Sequence, residues 1–149
     1  MLPTIASTDV IARLAHFGQV DKAGNSYIDH PRTVARILQE RGYGEYFVMA
    51  GLLHDAVEDS TLTLDDLREL GYPPQVVDAV DAVTRREGES YMDLICRAAA
   101  DPIGKWVKLA DNETNSDPER LALLTAEERE WFTQKYAKAR AVLLGEVTA

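Results

Sequence analysis

The chain has 149 residues, 46% of them apolar, so it is long enough for one domain with a real core and too apolar to be disordered. Its 16 Lys and Arg against 25 Asp and Glu leave a formal charge of −9, which repels nucleic acid and anionic membranes, and no Lys/Arg block reverses that field locally. The single cysteine, Cys96 in "LICRAAA", rules out an internal disulfide and reads as a small buried hydrophobe.

The N-terminus carries acidic and polar residues where a signal peptide needs a basic start and an apolar run. No apolar stretch approaches membrane-spanning length, so a soluble, cytoplasmic protein is expected. Ser7 or Thr8 is expected to cap a first helix carrying Val10, Ile11, Leu14 and Ala15, and "DKAGNS" breaks it. His30-Pro31 starts a second, because proline suits the first helical position; Val34, Ile37 and Leu38 form its stripe and "RGYG" ends it. A third runs roughly from Glu45 to Glu58. "TLTLDDLRELG" is a short helix with Thr63 as cap, Asp66 three residues on and Gly71 as stop. "PPQVVDAVDAVTR", "SYMDLICRAAA" and "IGKWVKLADNETN" read as three more, the last stopping before Asp117-Pro118. From about Thr125 the tail places Phe132, Tyr136, Ala139 and Leu143 at helical spacing, a face suited to its own core or to a second subunit of a homo-oligomer. No run alternates as a strand, and no linker interrupts the chain. The expectation is an all-α fold of about seven to eight helices, forming a single domain over residues 1–149.

"GLLHDAVEDS", residues 51 to 60, places a histidine and three carboxylates in an apolar helix. At about 100° per residue, His54, Glu58, Asp55 and Asp59 share one arc of roughly 140°. A solvated face is one reading. A metal site is the other, for two reasons. Glu58 and Asp59 lie near the helix C-terminus, where the macrodipole disfavours anions and a bound cation would reverse that cost. Adjacent His and Asp also offer the nitrogen and oxygen ligands that a borderline divalent metal accepts. His30 is either a plain helix cap or part of the same site. In "KWVKLADNETN", Lys108, Asp111, Asn112 and Asn115 fall within roughly 100° of helix surface, again as a solvated face or a site wall. Lys108 reads as the partner of a nearby carboxylate somewhat better than as a phosphate ligand. His16, with apolar neighbours, reads as packed or supporting.

The order His30, His54-Asp55, Asp111 resembles the HD-domain metal-dependent phosphohydrolases. "HFGQVDKAGNSYIDHP", "LLHDAVEDSTLTLDDL", "VVDAVDAVTR" and "VKLADNETN" are similar to the hydrolase domain of RelA/SpoT-like alarmone enzymes, above all the small forms made of that domain alone. The similarity covers roughly residues 10 to 120. It implies an all-α fold and one divalent ion, commonly Mn²⁺, held by His30, His54, Asp55 and Asp111. Glu58 and Asp59 would serve the attacking water, and Asn115 would contact the substrate nucleotide.

One departure bears on specificity. Typical members carry a basic pair after the "H-x-G-Q-x" segment, whose arginine stacks on guanine; here the pair is Asp21-Lys22. Lys22 remains a phosphate partner, whereas Asp21 cannot stack as a guanidinium does. Arg85, after the fifth predicted helix, is a candidate replacement for the lost charge. The resemblance implies 3′-pyrophosphate removal from a (p)ppGpp-like alarmone, with an adenine-type base as the variant that Asp21 suggests. The alternatives are a nucleotide phosphomonoesterase of the same fold, acting on a nucleoside monophosphate or dinucleotide phosphate, and a catalytically silent nucleotide-binding regulatory domain.

Overall fold

Ten helical segments make up the computed structural model, which describes residues 1–149: α1 (Ile5–Ala15), α2 (Asp29–Glu40), α3 (Glu45–Leu53), α4 (Ala56–Asp59), α5 (Leu64–Glu69), α6 (Pro74–Val83), α7 (Tyr91–Ala100), α8 (Gly104–Asn115), α9 (Pro118–Leu121) and α10 (Ala126–Leu143). Eight have six residues or more; α4 and α9 are single turns. There is no strand, only an isolated antiparallel bridge between Val20 and Ser26 in the α1–α2 loop.

Capping chemistry explains most boundaries. Thr63 and Asp66 close a reciprocal box at the start of α5, and Gly71 turns the chain after it with φ +90°, a conformation that favours glycine. Thr125 and Glu128 do the same for α10. The first helix differs from expectation. Its cap is Thr4, paired with Ser7, and not Ser7 or Thr8. Thr8 lies inside the helix, buried, with its hydroxyl donating to the Thr4 carbonyl and meeting the Tyr72 hydroxyl at 2.7 Å. The helix therefore packs its Thr8–Ala12 face inward and leaves Val10 and Leu14 exposed.

Helix α3 lies at the centre and contacts α1, α2, α6 and α8. Val48 to Leu53 are all buried, as expected of a helix apolar on every side. Gly51 lets α2 come close: a Cβ there would stand 2.9 Å from Leu38 Cδ1. One contiguous apolar cluster draws residues from α1 to α8 and from α10. Helix α10 packs on α7 and α8 of its own chain, burying Ala139, Val142 and Leu143. Asn112, read from sequence as part of the site wall, is instead buried and donates to the Tyr136 carbonyl at 3.0 Å, tying α8 to α10.

Two further expectations change. The helix drawn from Glu45 to Glu58 breaks after Leu53; His54 and Asp55 form a turn, and Ala56 to Asp59 make a separate single turn. Cys96 is exposed on α7, with its neighbours Leu94 and Ile95 facing the core. No helix is long and apolar enough to cross a membrane.

Candidate metal centre

The break after α3 has a chemical cause and a chemical result. His54 Nδ1–H donates to the Gly51 carbonyl at 2.7 Å, which settles the tautomer and leaves Nε2 with a lone pair. The ring is 1% exposed. Nε2 lies 3.1 Å from Asp55 Oδ2 and 3.4 Å from Asp111 Oδ1, yet it has no hydrogen-bond partner, because neither contact has bonding geometry. A buried nitrogen lone pair facing two carboxylate oxygens fits a cation.

Three elements converge on it. His30, in the first turn of α2 and not its cap, brings Nε2 to 2.8 Å from Asp111 Oδ1 and 3.8 Å from Asp55 Oδ2. Asp111, on α8, is almost wholly buried. Ligand atoms of His30, His54 and Asp111 all lie within 4.8 Å of one another, a spacing suited to a shared divalent metal ion. Asp55 joins them from the turn itself. The four residues read from sequence as ligands are therefore together.

The electrostatics favour a cation. Burial pushes the Asp111 carboxyl up, but Lys108, the hydrogen bond from His30 and the charge of the nearby His54 ring outweigh it and hold the group well below its usual range. Asp55 is likewise raised by burial and lowered more by His54, to about 2. Burial opposes charge on His54, yet Asp55 and Asp111 raise its pKa well above the ordinary value. Without metal, a proton on His54 answers the same two carboxylates that a divalent ion would.

Supporting residues surround the four. The Tyr27 hydroxyl donates to Asp55 Oδ2 at 2.6 Å. Lys108 Nζ donates to Asp111 Oδ2 at 3.0 Å, the carboxylate pairing favoured from its position. Asn115 Nδ2 donates to Asp111 Oδ1 at 3.2 Å. Arg120 Nη1 donates to His30 Nδ1 at 2.6 Å. Sequence reasoning missed Tyr27 and Arg120, since Tyr27 lies in the loop before α2 and Arg120 on the single turn α9, outside the helices whose polar faces were read. His16 is buried, donates from Nδ1 to Gln19 Oε1 at 2.8 Å, and stacks at a tilt on Tyr27; Gln19 in turn donates to the Asp59 carbonyl at 2.8 Å.

Glu58 and Asp59 lie on α4, the single turn that follows His54 and Asp55. Both are exposed, and Glu58 Oε1 accepts the Arg85 backbone N–H at 2.6 Å. Burial of its carboxyl, and then Asp55 and Glu58, raise the pKa of Asp59. Arg85 is exposed, and its guanidinium donates to the Glu89 carbonyl at 3.3 Å.

A cavity of about 330 Å³ opens beside the cluster. Tyr27, Asn115 and Arg120 line it while each also bonds a cluster residue. Asp21, Lys22 and the stacked pair Phe132–Tyr136 also line it, with apolar side chains that include Leu121 and Leu124; Arg85 does not. Asp21 Oδ1 accepts the backbone N–H groups of Ala23 and Asn25, each at 2.9 Å, so this side chain also shapes the loop.

Comparison with known proteins places this geometry in context. The HD domain family profile matches residues 8–115. A GTP pyrophosphokinase of Streptomyces coelicolor is 38% identical over 114 residues, and a guanosine-3′,5′-bis(diphosphate) 3′-pyrophosphohydrolase of Vibrio cholerae is 33% identical over 117. Those stretches cover 70% and 71% of this chain but only 13% and 16% of the relatives, so the chain spans a small part of their length. The solved structure of a metazoan SpoT orthologue, described as hydrolysing ppGpp and acting in starvation responses, superposes with a TM-score of 0.79 at 27% identity. That match covers 97% of this chain and 88% of the other. A structure from Listeria monocytogenes EGD-e matches with a TM-score of 0.60 at 30% identity, covering 75% and 78% of the two chains.

Proposed function

The chain belongs to the HD-domain family, and from this we propose that residues 1–149 act as one metal-dependent phosphohydrolase unit whose substrate is a nucleotide of the (p)ppGpp type, cleaved at its 3′-pyrophosphate. The observation that carries the proposal is the partnerless buried Nε2 of His54, facing Asp55 and Asp111 beside a nucleotide-sized cavity. The names of the similar proteins support the substrate class.

His30, His54, Asp55 and Asp111 would hold one divalent ion, Mn²⁺ fitting a mixed imidazole and carboxylate set. Such an ion supplies Lewis-acid charge and a lowered pKa for water. Tyr27 and Lys108 orient the two carboxylate ligands through their hydrogen bonds. Glu58 accepts the proton of the attacking water, while the Arg85 amide donates to its Oε1 and fixes the side chain. Asp59 supports that exchange with its raised pKa. Asn115 presents an amide toward the ribose or base, and Lys22 meets phosphate. Phe132 and Tyr136 offer an aromatic wall on which a base stacks. The substrate is free in solution, so neither nucleic acid nor membrane is a partner, and the proposed compartment is the cytoplasm.

The deciding experiment incubates Mn²⁺-loaded protein with guanine and adenine 3′,5′-bis(diphosphates), nucleoside monophosphates and dinucleotide phosphates, and identifies the products. Pyrophosphate released from the 3′ position supports the proposal. Orthophosphate as the sole inorganic product establishes the phosphomonoesterase alternative. Nucleotide binding without turnover establishes the regulatory alternative.

A further inference from the structure

The two imidazoles of the centre are wired in opposite senses. A guanidinium carries donors only, so His30 Nδ1, 2.6 Å from Arg120 Nη1, must accept. A neutral ring then keeps its one proton on Nε2, which points at Asp111 Oδ1 over 2.8 Å. His54 instead donates from Nδ1 to the Gly51 carbonyl, so removing a proton from its Nε2 leaves a neutral ring able to ligate. His30 has no proton on Nδ1, so removing the one on Nε2 would not leave it neutral.

For His30 to ligate through Nε2, its proton must sit on Nδ1, and Arg120 must leave. The ring is neutral in both arrangements; a proton departs from Nε2 and one is gained at Nδ1. Arg120 has somewhere to go. It already lines the cavity beside Lys22, forms no ion pair with any carboxylate, and has the His30 contact as its only side-chain hydrogen bond. Asp21, which shares the cavity wall and feels the Arg120 charge, has Oδ1 committed to two backbone amides.

We infer that Arg120 is a cation exchanged between His30 and a phosphate oxygen of the substrate. It holds His30 in the non-ligating tautomer until metal binds, and is then released into the cavity to bind phosphate. This rests on the metal-site reading given above. Metal binding and phosphate binding are coupled through this one side chain: Arg120 opposes the first and favours the second, so by linkage each event strengthens the other.

The test compares metal-stripped wild type with Arg120→Met. Removing a charge-assisted hydrogen bond that opposes ligation should tighten Mn²⁺ binding, read by calorimetry, by roughly three- to thirty-fold. The same change should weaken inorganic pyrophosphate binding to the Mn²⁺-loaded protein by roughly tenfold. A residue that merely braces the fold would weaken both. In parallel, the ring ¹⁵N spectrum of metal-free wild type should show the His30 proton on Nε2, and that of the Zn²⁺-loaded protein should show it on Nδ1. Wild type that takes up no metal at the four side chains overturns the site reading itself. Wild type that binds Mn²⁺, with Arg120→Met binding it no tighter, overturns the exchange and leaves the site standing. A His30 proton on Nδ1 in the metal-free protein overturns it too, whether or not the variant folds.

Discussion

The Gly51 carbonyl, in the last turn of α3, accepts the His54 Nδ1–H at 2.7 Å from the turn that follows. That bond directs the opposite nitrogen at Asp55 and Asp111. Gly51 also sits where α2 and α3 touch, with Leu38 Cδ1 2.9 Å from the place of a Cβ. Leu38 is itself fully buried and has little room to yield. Gly51→Ala should therefore cost about 1–3 kcal/mol of overpacking, partly offset by about 1 kcal/mol of helix propensity. The variant should melt lower and bind Mn²⁺ more weakly, because His30 and His54 ride on the two helices being separated. Thermal melts and metal titration check both effects.

Metal affinity should rise with pH. The pKa of His54 in the metal-free protein is raised, against the effect of burial, by Asp55 and Asp111. Below that raised pKa the ring carries a proton that metal must displace. Apparent affinity should then fall about tenfold for each pH unit lost, and flatten above the pKa. Calorimetry in buffers of different ionisation heat should count close to one proton released per ion. A pH-independent affinity would show that His54 does not ligate.

Tyr27 belongs to the centre although no ligand pattern includes it. Its hydroxyl orients Asp55 through a 2.6 Å hydrogen bond, in a site where burial and then Asp55 keep the phenol protonated. Tyr27→Phe should lower metal affinity roughly 10–100-fold, the usual cost of losing an outer partner of a ligand. Equilibrium metal binding tests this, and an unchanged constant would mean that the α3–α4 turn alone orients Asp55.

Glu58→Gln keeps the shape of the side chain and can still accept the Arg85 N–H, but it loses the charge and basicity. Metal content should stay near that of wild type while turnover drops roughly 10²–10⁴-fold. Asp59→Asn is the companion measurement. A large loss there, with little loss at Glu58, would transfer the proton-accepting role to Asp59.

Asp21 has two duties, so two substitutions separate them. Asp21→Asn keeps an oxygen for the Ala23 and Asn25 amides and removes the anion from the cavity wall. It should lower KM for phosphorylated nucleotides of every base alike. Asp21→Arg adds a planar cation able to stack, and should lower KM for purine substrates more than kcat changes. Equal gains from both substitutions would mean that charge matters here and stacking does not.

Much of this molecule was legible before any coordinates. Helical period, caps and breakers located the eight longer helices, because those signals act within a few residues of one another. The proposed ligand set His30, His54, Asp55 and Asp111 comes from resemblance, through the order of its motifs, and the fold brings these four side chains together. Local reasoning also erred where local signals compete. A continuous helix from Glu45 to Glu58 satisfies the apolar pattern, but the chain turns at His54 and Asp55, where the His54 ring bonds the Gly51 carbonyl. Cys96 looked buried by its apolar neighbours, and only the packing of α7 decided which side faces out.

The tertiary structure decided everything that depends on distance between elements. Asn112 and Asn115 are three residues apart on one helix, yet one ties α8 to α10 and the other reaches Asp111. Tyr27 meets Asp55 across 28 residues of sequence, and Arg120 meets His30 across 90. No periodicity encodes such pairs. They exist because α2, α3 and α8 pack around one apolar cluster, which brings His30, the His54–Asp55 turn and Asp111 into a space a few ångströms wide. The chain's apolar period and capping residues determined that a helical core would form; the packing of that core determined which polar side chains meet inside it.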